Sequence, residues 1–149
     1  MPFSRKHMIH AGLATWTIFA LAGPALAATG FEAELDPAPF DASNKADTVG
    51  IGNVTASLDG RSLTITGTFS GLSSPATGAQ LRMGLAMGVP GEAIGPLTLD
   101  KAASGAVSGK IDLTAKQLAA LRARALYMRI DSAKAPDGNL QGWLEPKGE

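Results

Sequence analysis

The 149-residue sequence contains no cysteine, and its two histidines, His7 and His10, both lie at the extreme N-terminus. Without thiols there is no disulfide, no thiolate nucleophile, no haem attachment and no iron–sulfur cluster. With imidazole confined to the first residues, a histidine-based triad and an ordinary zinc or copper site are excluded from everything downstream. Aromatic residues are scarce: Tyr127 is the one tyrosine, and Trp16 and Trp143 are the two tryptophans. That leaves few platforms for stacking a sugar ring. The 13 Lys+Arg are matched by 13 Asp+Glu, so the basic excess that a nucleic-acid binder needs to neutralise phosphates is missing. No apolar run reaches the roughly 20 residues that span a bilayer.

What is present begins with an export pattern. Arg5 and Lys6 form a basic start, an apolar run extends from about Ala11 to Ala22, and Pro24 precedes Ala25-Leu26-Ala27, a small-x-small cleavage site. The expectation is a cleaved signal over residues 1–27 and one domain over 28–149, exported to the periplasm or beyond the cell. Ser4-Arg5-Lys6 lacks the second arginine of a twin-arginine signal and does not decide the route. Removing Arg5 and Lys6 leaves 11 basic residues against 13 acidic ones, a net charge of −2. A disulfide-free exported domain must hold together by packing, which a chain of this length achieves.

Downstream of the signal the apolar residues alternate. Val54, Ala56 and Leu58 interleave with Thr55 and Ser57; Asp59-Gly60 then marks a turn before Leu63, Ile65, Gly67 and Phe69 interleave with threonines. This spacing predicts a β-hairpin with one wet face. Short strands are expected over residues 31–35, 80–83, 97–99, 107–113, 126–130 and 140–144, punctuated by glycine and proline. One segment has helical spacing: Thr114 and Gln117 form a capping box ahead of Leu118 and Leu121, giving a short helix near residues 114–124. Residues 37–47 read as a loop. The expected fold is an all-β antiparallel sandwich with one helix.

The chain also carries an ordered set of short motifs. Phe31-Glu-Ala-Glu-Leu35 is followed by Gly52 to Leu58 with Asp59-Gly60, then Thr68-Phe-Ser-Gly-Leu-Ser-Ser-Pro-Ala-Thr77, and finally Leu126-Tyr127 with Pro136-Asp-Gly-Asn-Leu-Gln-Gly142. Together they resemble the CHRD, or chordin-type, domain over about residues 30–145. The resemblance implies a sandwich in the style of Cu/Zn superoxide dismutase, found in exported proteins and mostly without an assigned activity. Members of that family typically carry three histidines where this chain has Gln80, Arg82 and Asp131. Glutamine and arginine are poor or impossible ligands at neutral pH, so a metal option is discarded. An Arg82–Asp131 pair on adjacent strands is expected in its place, either bidentate between the strands or solvated on the surface.

Other motifs fall short of chemistry. Gly105-Ala-Val-Ser-Gly109-Lys110 has three residues between glycines where a phosphate loop needs four, and Ile111 stands where Ser or Thr would bind magnesium. Met83 and Met87 alone make a weak copper(I) site, and Asp137-Gly138-Asn139 is a turn without the ligands of a calcium cage. Asn53-Val54-Thr55 is a glycosylation sequon inside a predicted strand. The stretch from Leu81 to Ile94, however, sets Met83, Leu85, Met87, Val89 and Ile94 among glycines with few charges. Such a segment is either tucked under the sandwich or presented to a partner, and with Trp143 it forms the candidate interface. The reading is an exported, non-catalytic binding or accessory protein with no cofactor, no metal, no nucleic acid and no membrane span after signal cleavage. Its specific form is a small cofactor-free subunit of a periplasmic membrane-bound quinoprotein alcohol dehydrogenase. A stand-alone envelope or matrix protein is the alternative, and a cryptic hydrolase a more distant one.

Overall fold

The computed structural model describes residues 29–85 and 89–148. The expected signal and Met87 lie outside the described residues. The described residues form nine strands: β1 (Thr29–Pro37), β2 (Ile51–Asp59), β3 (Ser62–Ser70), β4 (Ala76–Met83), β5 (Glu92–Leu99), β6 (Gly105–Asp112), β7 (Leu126–Ser132), β8 (Leu140–Trp143) and β9 (Glu145–Pro146), with helix α1 (Ala115–Arg122) between β6 and β7. Every pairing is antiparallel.

The strand order β2-β3-β6-β5-β4-β7-β8-β1, with β1 returning to β2, closes the sheet on itself. The result is a flattened barrel, a sandwich whose two halves share their bridging strands. β1 pairs with β2 along Thr29 to Leu35 and passes to β8 at Asp36 and Pro37. β5 pairs with β4 over Glu92 to Leu97 and passes to β6 at Thr98 and Leu99. Closure satisfies the backbone groups that an open sheet would leave at its edges.

The alternation read from the sequence is the alternation of burial. Val54, Ala56, Leu58, Leu63, Ile65 and Phe69 face inward, while Thr55, Ser57, Thr64, Thr66 and Thr68 face water. The hairpin turns through Gly60 and Arg61, with Asp59 opposite Ser62 and Gly60 at φ +61°, a first turn position that suits glycine. From the other half Leu81, Leu126, Met128, Ile130, Leu140 and Leu144 complete the core, each fully buried and each stabilising the fold by about 1.5–3 kcal/mol. Helix α1 is closed at its start by the capping box: Gln117 N–H donates to Thr114 Oγ1 at 3.2 Å, and Thr114 N–H donates to Gln117 Oε1 at 2.9 Å. Leu121 seats the helix in the core.

Two departures concern the stretch from Leu81 to Ile94. β5 begins at Glu92, five residues before the expected strand at Leu97, although Gly95 and Pro96 look like breakers. The register explains why they are tolerated. Ile94 is the extra residue of a bulge between Leu81↔Gly95 and Arg82↔Ala93, and Ile94 and Met83 both pack against the core. The apolar connection therefore shrinks to residues 84–91, and Met83 and Ile94 belong to the sandwich.

Candidate functional site

Inward alternation on β4, β7 and β8 sends the other half of their side chains to the outer face of that sheet. Gln80 lies opposite Arg129, Arg82 opposite Tyr127, and Tyr127 opposite Trp143; Arg129 faces Gln141 on the far side. Gln80, Arg82 and Asp131 thus share one face of two adjacent strands.

Arg82 and Asp131 are not each other's partners. Asp131 stands opposite Gly78, four residues along β7 from Tyr127, and the carboxylate instead meets Arg129 on its own strand. Arg129 Nη2 donates to Asp131 Oδ2 at 3.2 Å, while Nε and Oδ1 approach to 2.8 Å off the ideal hydrogen-bond direction. Residues two apart on a strand lie on the same face, and the i, i+2 reach of arginine won over the longer diagonal. Burial pushes the Asp131 carboxyl above the ordinary carboxylate range; Arg129, and more weakly Arg82, pull it back, and Asp137 adds to the rise.

Arg82 is held by neutral acceptors. Its Nε donates to Tyr127 Oη at 3.2 Å, Nη1 to Gln80 Oε1 at 2.6 Å and Nη2 to the Gly91 carbonyl at 2.5 Å. The Gly91 N–H donates to the same tyrosine oxygen at 3.0 Å. A side chain at position 91 would collide with the Met83 carbonyl, its Cβ falling 2.2 Å away, so only glycine lets the connection fold back here. The guanidinium and the phenol together anchor the far end of the connection, and Tyr127 is buried beneath it although it points away from the core.

Beyond that anchor two of the connection's described residues are presented to solvent. Leu85 is 97% exposed and Val89 58%. Val89 and Pro90 line a cleft of about 110 Å³ together with Ala38, Pro39, Tyr127 and Trp143 and the polar Arg129, Asp137 and Gln141. The two rings meet at 4.8 Å between centroids, inclined at 42°. Of the candidate interface residues, the structure brings Val89 and Trp143 to one cleft, leaves Leu85 exposed on the surface, and packs Met83 and Ile94, partly buried, against the core.

A larger cleft, about 650 Å³, runs along the opposite flank of Trp143. It lies where β1 leaves β8, and Glu32, Glu34, Asp36 and Glu145 line it with Asn53, Thr55 and Trp143. Sequence reasoning missed it because its acids lie on two strands distant in the chain. The signal was the alternation of Glu32, Glu34 and Asp36 on one strand, which places three carboxylates on one face. Among the described residues no group of three or more acidic or imidazole side chains is placed to hold a metal ion.

Comparison with curated proteins and with solved structures returns no match. The CHRD domain family matches residues 31–144. That span takes in the strands from β1 to β8, the anchored connection and the Pro-Asp-Gly-Asn-Leu-Gln-Gly turn, most of the chain. The protein belongs to the CHRD domain family.

Proposed function

We propose that this chain is an exported, non-catalytic binding protein that docks to a partner through the connection at residues 84–91 and the adjoining Trp143 face. Membership of a family whose domains serve secreted binding and accessory roles supports the general class. The observation that carries the surface assignment is Leu85, 97% exposed on a connection whose far end is clamped by Arg82 and Tyr127. An exposed leucine on a tethered segment, with Val89 and Trp143 bordering a cleft close by, is the anatomy of an anchor residue seeking a pocket. The polar groups of the outer face, by contrast, largely meet one another. Every nitrogen of Arg82 has an acceptor, and the Asp131 carboxylate faces Arg129 on its own strand.

The specific form of the proposal is a cofactor-free accessory subunit of a periplasmic membrane-bound quinoprotein alcohol dehydrogenase. It is consistent with a chain that lacks the ligands of a redox centre and offers one apolar docking surface. Affinity purification from solubilised native membranes tests it directly: quinoprotein and cytochrome subunits should co-purify in stoichiometric amount. Leu85→Asp and Val89→Asp should abolish that co-purification while leaving the thermal midpoint nearly unchanged, since neither side chain contributes to the core. Retained binding in both variants removes this surface from the interface. Recovery of the chain alone from the envelope would favour a free-standing role.

A further inference from the structure

The two ends of the 84–91 connection are held by different means. At its start, Gly84 N–H donates to the Ala125 carbonyl at 2.9 Å, one step beyond the Met83↔Leu126 pair, so backbone alone carries the β4–β7 ladder to that point. At its end, Gly91 lies one step beyond the Met83↔Glu92 pair of β4 and β5, yet side chains hold both of its polar groups. Its N–H donates to Tyr127 Oη at 3.0 Å, and its carbonyl accepts from Arg82 Nη2 at 2.5 Å.

The two holds meet at one place. A Cβ on Gly84 would lie 3.3 Å from the Gly91 Cα and 3.1 Å from Tyr127 Cε1, so the two glycines close on each other against the phenol ring. The same phenol oxygen accepts from Arg82 Nε at 3.2 Å. Removing that one oxygen would leave a backbone N–H and a guanidinium N–H without their acceptor in part-buried surroundings. A ladder bond at the start of the connection opens only as the sheet frays, whereas a side-chain hold at its end can let go while the sheet stands.

We propose that Tyr127 Oη and the Arg82 guanidinium form a latch at Gly91, with Gly84 as the fixed end, and that the latched form of the connection is the one that docks. The assignment rests on the reading of this connection as the docking surface and gives that surface its positioning residues. Neither residue has to touch the partner. Each acts by holding the segment that carries Leu85 and Val89 in place beforehand, so that less ordering remains to be done on association.

The test begins with amide hydrogen exchange on the whole chain, comparing the parent with Tyr127→Phe, which removes the hydroxyl and keeps the ring beside Trp143. Exchange at Gly91 should rise by about a hundred-fold, because two donors lose one acceptor, while the ladder amides of β3 change far less. Unchanged exchange at Gly91 would overturn the latch. So would an equal rise across β3, since the hydroxyl would then merely stabilise the barrel. Arg82→Met should also speed Gly91, and the double variant should exceed Tyr127→Phe by less than the Arg82 factor, because both residues act on one unit. Factors that simply multiply would show two independent contacts and overturn the latch as well. Docking is then measured with quinoprotein and cytochrome subunits from solubilised native membranes as the probe. Tyr127→Phe should bind them about ten-fold more weakly, and Leu85→Asp should abolish binding with Gly91 exchange as in the parent. Undiminished binding by Tyr127→Phe despite fast exchange would overturn the proposal and leave the docking surface standing. Full binding by Leu85→Asp would instead sink the docking surface and the role given to the latch, with the exchange data still deciding whether the latch exists.

Discussion

Asp131 shows how one carboxylate reports its surroundings. Its pKa is raised by burial despite Arg129, so over the range between the ordinary carboxylate value and the raised folded value the folded chain holds a proton that the unfolded chain has released. Stability contributed by this group is therefore greatest below that range and declines as pH rises through it. Asp41 acts in the opposite sense, its pKa lowered by the hydrogen bonds from Ser43, but it does so equally in any variant at position 131. The comparison to make is urea unfolding of the parent and Asp131→Asn at about pH 3.5 and about pH 7. The parent should be more favoured over the variant at the lower pH, and a gap that does not change would show that Asp131 is solvated. Asn139 makes a second case. Fully buried, it donates from Nδ2 to the Val49 carbonyl at 2.7 Å and accepts from Ser132 Oγ at 2.7 Å. Asn139→Ala leaves both groups without that partner and should cost about 1–3 kcal/mol for each that stays buried, measured by denaturant unfolding. Hydrogen exchange in the 38–49 loop should rise with it.

At the scale of elements, the crossing of β1 over β8 depends on Gly142. A Cβ there would fall 2.1 Å from the Glu34 carbonyl oxygen, and the obstacle is backbone, which cannot swing aside. Gly142→Ala should destabilise the domain by about 1–3 kcal/mol or more. Equal urea midpoints for parent and variant would mean that the two strands cross with slack. The elements themselves were largely legible. Period-two alternation named the β2–β3 hairpin, and Thr114 with Gln117 marked the start of α1 within a residue. β5 was half hidden because Gly95 and Pro96 carry the local signature of a loop, and only the bulge at Ile94 and the neighbouring β4 reveal why they serve in a strand. The partners of Arg82 and Asp131 were hidden for a related reason. Which residue lies across a ladder depends on register, and a bulge between Ala76 and Gly78 shifts the register of β4 against β7. The larger cleft needs the whole ring of strands before Glu145 and Glu32 come face to face.

For the whole molecule, closure of the barrel leaves a partner few backbone hydrogen bonds to extend, so recognition falls to side chains on the outer surface. The opposed carboxylates of Glu32 and Glu145 bear on stability. Glu145→Gln removes half of an opposed like-charged pair and should raise the thermal midpoint at low salt, by the equivalent of about 0.2–1 kcal/mol, with the gain fading as salt is added. A midpoint that falls in calorimetry would show that the glutamate is engaged where the fold leaves it free. The hydrogen bond from Lys147 N–H to the Gly30 carbonyl, at 3.0 Å, carries one more consequence. Entry to and exit from the barrel are neighbours on paired strands. The domain can therefore be spliced into an exposed loop of another protein as a cassette, or its ends joined by a short linker and the chain reopened within the 84–91 connection, without the barrel having to change shape.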